Sequence, residues 1–100
     1  MIRHIFIGTF KDNVDCETKD KIFVDMKAMQ KEIPGIVDLK IGFSTGWVGG
    51  NAERIVMTVD FAEKKFFEVY MKHPYHLNHI DKLGTEFFDR SSFVVAQFEF

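Results

Sequence analysis

Tyr70-Met71-Lys72-His73-Pro74-Tyr75-His76 places two phenols and two imidazoles at the break between two helical patterns, in a chain with only four histidines. An imidazole with an unperturbed pKa near ~6.5 is neutral at working pH and can accept a proton from carbon next to a carbonyl. A phenol can donate a hydrogen bond to the oxygen on which charge then develops. Proline lacks an N–H and biases the preceding residue away from the helical region, so the helix carrying Tyr70 should end near His73. In one unbroken helix His76 would sit well off the Tyr70 face; the break can re-aim it, so that Tyr70 and His76 share one cavity. The alternative reading is structural: the two satisfy hydrogen bonds at a helix break and nothing more.

His73, His76 and His79 also invite a metal reading, because i and i+3 histidines share a helical face. Pro74 interrupts that face, no cysteine cluster assists, and a carboxylate such as Asp60 or Asp81 would have to be recruited, so neither a metal nor a cofactor is expected. His79 reads as a surface residue. Thr45-Gly46-Trp47-Val48-Gly49-Gly50-Asn51 is glycine-rich, but it lacks the Gly-Lys-Ser/Thr ending and the following helix of a phosphate loop. It reads as a mobile connection in which Trp47 is expected to pack, rather than to cap a pocket or edge a dimer.

The elements that must hold these groups follow from periodicity. Residues 2–10 alternate Ile2, His4, Phe6, Gly8 and Phe10 with Arg3, Ile5, Ile7 and Thr9, a two-sided strand. Asp15 is a fair N-cap for a helix through about Glu32, carried by Ile22, Met26, Met29 and Ile33 and stopped by Pro34-Gly35. Val37, Leu39, Ile41 and Phe43 alternate with polar residues in a second strand. A third runs from about Arg54 to Phe61. Helix two spans about Glu63 to Lys72, burying Phe66, Phe67 and either Tyr70 or Val69, and a further helix covers about Pro74 to Phe87. Ser92 to Phe100 reads as a last strand buried on both sides.

One hundred residues, 46% apolar with 12 Phe and a net charge of −2, make one domain spanning 1–100 and exclude disorder and polyanion binding. The strand order βαββαβ predicts an α+β, ferredoxin-like sandwich, a four-stranded antiparallel sheet with its helices on one face. Ile5, Ile7, Val56, Val94 and Ala96 then leave an apolar second face. A second copy is the simplest cover, which predicts a homodimer through the open sheet face, a dimeric α/β barrel. The N-terminus alternates and soon meets Gly8, so it is neither a signal peptide nor a membrane span. With the lone Cys16 this predicts a cytoplasmic setting without membrane partners.

Several stretches together resemble the stress-responsive A/B-barrel (Dabb, dimeric alpha-beta barrel) family across essentially the whole chain. They are Ile2-Arg3-His4-Ile5, Phe10-Lys11-Asp12, Ile33-Pro34-Gly35-Ile36, Val59-Asp60-Phe61, and Tyr70 followed by His73-Pro74-Tyr75-His76. The resemblance implies the homodimeric barrel. It extends to the family's plant polyketide cyclase, olivetolic acid cyclase, which closes a linear polyketide without a metal or organic cofactor. That relation implies a site at His76, Tyr70 and His4, with His76 as base, Tyr70 as hydrogen-bond donor and His4 orienting substrate. A further family histidine, on the third strand, falls at Ile55 here. Taken alone, His4 reads as a satisfied core histidine.

Three function classes fit. The first is a cofactor-independent cyclase, isomerase or lyase acting on a small apolar, carbonyl-containing or polyketide-like compound. The second is a non-enzymatic stress-response or ligand-binding dimer, and the third a monooxygenase of the related dimeric barrel type. An RNA-binding domain shares the strand order, but Arg54-Ile55-Val56-Met57-Thr58-Val59 lacks its Gly-aromatic stacking signature, so nucleic acid is not an expected partner.

Overall fold

A computed structural model describes residues 1–50 and 53–100; the loop expected at Asn51 lies outside them. Four strands, β1 (Ile2–Phe10), β2 (Ile36–Phe43), β3 (Arg54–Phe61) and β4 (Phe88–Glu99), form one antiparallel sheet in the order β2-β3-β1-β4. The helices are α1 (Cys16–Lys27), α2 (Met29–Glu32), α3 (Lys64–Lys72), a π-helix (Tyr75–Ile80) and α4 (Asp81–Phe87). The expected ferredoxin-like α+β architecture is present.

Strand alternation decides which side chains meet the helices. His4 and Phe10 of β1, Leu39 of β2, and Ile55, Met57, Val59 and Phe61 of β3 are buried beneath α1 to α3 with Ile22, Met26, Met29, Ile33 and Tyr70. Each such side chain contributes roughly 1.5–3 kcal/mol when taken fully out of water. The Asp15 carboxylate accepts from the Thr18 N–H, as a cap should, and hydrogen bonding by Thr18, helped by the charge of Lys19, holds its pKa down. Gly35 turns the chain at φ +93, and a Cβ there would lie 2.8 Å from the Phe66 ring.

Five expectations need correction. The helix after Asp15 is not continuous to Glu32: the chain turns at Ala28, and α2 restarts the ladder at Met29. Val37 is not part of the core-facing row. It is the extra residue of a bulge between Ile36 and Asp38 and stands 53% exposed. The segment after Pro74 opens as a π-helix, not an α-helix. Finally, β4 starts at Phe88 rather than Ser92, and as an edge strand it is largely exposed instead of buried on both sides. Trp47 does not pack either; it is 88% exposed.

On the open face Ile5 lies opposite Thr58 and Ala96, and Ile7 opposite Val56 and Val94. At its end the Arg3 guanidinium grips Asp60 in two bonds of 2.7 and 2.8 Å, which holds the Asp60 carboxyl below its usual pKa. No helix among the described residues is long and apolar enough to cross a membrane.

Candidate functional site

The last turn of α3, the π-helix and α4 lie over the β1–β4 side of the sheet. Between them is a cavity of about 180 Å³. Its walls are mostly apolar, with Phe6, Met57, Leu83 and Phe93 among them, and His4, Tyr70 and His76 all reach it. An apolar cavity of about 150 Å³ accepts benzene, so this one has room for an aromatic ring or a short acyl chain.

Pro74 does what its chemistry requires. His73 ends α3 in extended backbone, Pro74 opens the next segment, and the π-helix carries His76 under Tyr70, with ring centroids 4.6 Å apart. The wider π turn is where the sequence departs from ordinary helical spacing, and such turns recur at functional sites. The three closely spaced histidines diverge. His73 Nδ1 accepts from the Tyr75 N–H at 3.1 Å, His79 pairs with Asp25 at 3.3 Å, and only His76 joins the cavity. The Tyr75 hydroxyl donates to the Asp25 carbonyl at 2.8 Å, tying the π-helix to α1.

His4 comes from the helix-facing row of β1, 4% exposed, with its ring 5.7 Å from that of Tyr70. Gln97 lies opposite it on β4, and the Gln97 side-chain Nε2 is 2.9 Å from His4 Nδ1. An amide nitrogen can only donate. His4 Nδ1 therefore accepts, and its proton is assigned to Nε2. Burial, helped by nearby His76, pushes the His4 pKa down to about 4, so the ring is a neutral N–H donor at pH 7.

His76 is in the opposite condition. Its Nδ1 is buried with no hydrogen-bond partner, the only such side-chain atom among the described residues. Burial lowers its pKa, partly offset by the Met71 backbone and by Asp81. Burial alone raises the Tyr70 pKa, so the phenol stays protonated. The wall thus carries a neutral imidazole whose Nδ1 has no hydrogen-bond partner, a phenol and an imidazole N–H.

Sequence reasoning named these three and missed their surroundings. Gln97 was signalled only by strand register. Gly84, an isolated glycine within the α4 pattern, leaves open space beside Phe93, whose ring would be 3.5 Å from an added Cβ. Phe93 reaches the cavity by ordinary alternation with Val95, whereas Arg90 reaches it because β4 carries a large bulge. Ile7 and Thr9 pair with Val94 and Asp89, so two steps of β1 face five of β4.

The family model of the stress responsive A/B barrel domain matches residues 2–100. A protein of Arabidopsis thaliana is similar in structure at a TM-score of 0.81 and 18% identity, covering 99% of this chain and 94% of that one. A dimeric ferredoxin-like protein of unknown function from Thermobifida fusca aligns at 0.79 and 22% identity, over 99% of this chain and 90% of that one. The hydroxynitrile lyase from Passiflora edulis aligns at 0.76 and 20% identity, over 97% of this chain and 90% of that one. No curated protein matches the chain.

Proposed function

This chain belongs to the stress responsive A/B barrel domain family, and from that premise we propose that it binds a small carbonyl compound and moves a proton on it without a cofactor. The observation that carries this reading is the buried, unpartnered His76 Nδ1 on the wall of an apolar cavity it shares with Tyr70 and His4. An unsatisfied buried nitrogen costs about 1–3 kcal/mol, a cost that a ligand proton or hydroxyl removes.

In the proposed step neutral His76 accepts the proton from the carbon beside the carbonyl. Negative charge develops on the carbonyl oxygen, where the Tyr70 hydroxyl and the His4 Nε2–H stabilise it. Reprotonation from the His76 imidazolium at the same or another atom completes an isomerisation; attack of the carbanion on a second carbonyl forms the new C–C bond and an alkoxide, which takes the proton back from His76 to complete an aldol closure. The fold shared with a lyase is compatible with the reverse sense, cleavage assisted by the same base. Depressed histidine pKa values suit the role, because both rings begin neutral at working pH.

We further propose a homodimer through the open sheet face. Ile5, Ile7, Val56 and Val94 support it, as do solved structures of the fold that are dimers. Ile7→Asp or Val94→Asp should give monomer or insoluble protein by placing an unpaired charge in that interface, and light scattering reads the outcome. A stable wild-type monomer at micromolar concentration contradicts it.

The chemistry is tested by deuterium uptake from D2O into the carbon beside the carbonyl of phenylacetone, followed by NMR. The protein should accelerate exchange over buffer, and His76→Ala or Tyr70→Phe should lower that acceleration by about 10²–10⁴-fold while the dimer persists. Exchange at the buffer rate, or variants as fast as wild type, contradicts the reading.

A further inference from the structure

The charged groups at the cavity are as informative as its walls. Arg90 lines it from the β4 bulge and Asp81 from the start of α4. One nitrogen of Arg90, Nη1, donates to Thr85 Oγ1 at 2.7 Å and sits 3.5 Å from Asp81 Oδ1, the outer limit for a hydrogen bond. The other two nitrogens of the guanidinium have no hydrogen-bond partner among the described residues. The guanidinium also lies over the Phe93 ring, 5.6 Å from its centroid. Phe93 is itself wedged against Phe6 and Phe88, with centroids at 5.1 and 5.8 Å. Arg90 is therefore held on a fixed aromatic shelf with most of its planar donor fork unspent.

We propose that the cavity takes small apolar carboxylic acids, the hydrocarbon end resting among Phe6, Leu83 and Phe93 and the carboxylate pairing with the free fork of Arg90. This rests on the reading of the same cavity as a ligand site and names the class of ligand. A planar carboxylate matches two parallel guanidinium N–H groups, which a neutral amide or ketone does not. The hydrocarbon end is matched to the volume and apolar lining of the cavity. Asp81 competes for the same cation. Its long contact with Arg90 gives way at little cost, and its charge tunes how strongly an incoming anion is held. The bulge explains why Arg90 is here at all: in the register of Ile7 and Val94 it would fall opposite Lys11 on the open face, whereas the shift that pairs Thr9 with Asp89 turns Arg90 to the cavity side, where Phe93 already lies.

Calorimetric titration with benzoate and benzamide, and with hexanoate and hexanamide, tests this on wild type, Arg90→Gln, Arg90→Lys and Asp81→Asn. Wild type should bind each acid about tenfold or more tighter than its amide. Arg90→Gln should erase that preference, Arg90→Lys should keep part of it, and Asp81→Asn should enlarge it. Equal affinity for acid and amide, a preference that survives Arg90→Gln, or no binding of any of the four probes overturns the proposal. Deuterium exchange on phenylacetone, which has no carboxylate, reports separately on the His76 chemistry. Exchange without acid preference removes only the Arg90 assignment, and acid preference without exchange removes only the proton transfer.

Discussion

The helix layer has two halves that treat the sheet differently. Over β2 and β3, α1 and α2 bury Ile22, Met26, Met29 and Ile33 almost completely. Over β1 and β4 the π-helix buries no residue and α4 buries only Gly84 besides the Phe88 that follows it. The first half is close-packed and apolar. The second keeps a cavity and a partnerless buried imidazole nitrogen, with the half-exposed Arg90 at its edge. Groups that weaken a fold are concentrated where the packing is loose, and the tight half supplies the stability that tolerates them.

If that division is real, large-to-small changes in the tight half should dominate stability. Ile22→Ala or Ile33→Ala should lower the unfolding free energy by about 2–5 kcal/mol in urea denaturation, while the affinity of folded protein for benzoate stays the same. Equal losses from Leu83→Ala, on the loose side, would break the comparison.

Acid should strike the loose half next. The folded pKa of His4 is pushed to about 4, below the unfolded value near 6.5, so the unfolded chain binds more protons between these values. The stabilisation is complete above about pH 6.5 and is lost as pH falls toward about 4, on the order of 3 kcal/mol for His4. The depressed pKa of His76 adds loss in the same direction. Denaturant titrations across this range should show the decline, and His4→Leu should flatten it. A curve for His4→Leu that parallels wild type would show that the histidine is not the cause.

The smallest effect has the opposite sign. Gly84→Ala puts a methyl in ordinary contact with Phe93 inside α4, where alanine is about 0.5–1 kcal/mol better than glycine. The variant should melt higher and hold benzoate more weakly, because the methyl takes cavity space. A higher melting temperature with unchanged affinity would place the ligand elsewhere.

The tight half was legible in the sequence, and so was the motif at the helix break. Ile22, Met26, Met29 and Ile33 repeat at helical spacing, Asp15 and Pro34-Gly35 mark the ends, and strict alternation fixes β1 and β3. Each is a local pattern with one dominant cause. The loose half depends on relations that no local pattern carries. Whether Tyr70 or Val69 turns inward was settled by packing on Phe61 and His4, and Val69 stays exposed. The partner of His4 required the β1–β4 register that brings Gln97 across 93 positions. The bulge that lifts Arg90 begins strand pairing at Phe88, earlier than the apolar alternation from Phe93 onward suggests. The exposure of Val94 and Phe98, which pair with Ile7 and Arg3, belongs to the open face of the sheet, which alternation alone cannot distinguish from a covered one.

The central claim is that His76 is present for a ligand and against the interest of the fold. Replacing it with leucine, similar in bulk and free of polar atoms, tests this most directly when unfolding free energy, benzoate affinity and deuterium exchange on phenylacetone are measured on the same preparation. Stability should be unchanged or higher, since a buried unpartnered nitrogen is removed, and deuterium exchange on phenylacetone should fall to the buffer rate. A loss of more than about 1 kcal/mol with exchange and affinity intact would make His76 a structural residue and contradict the account.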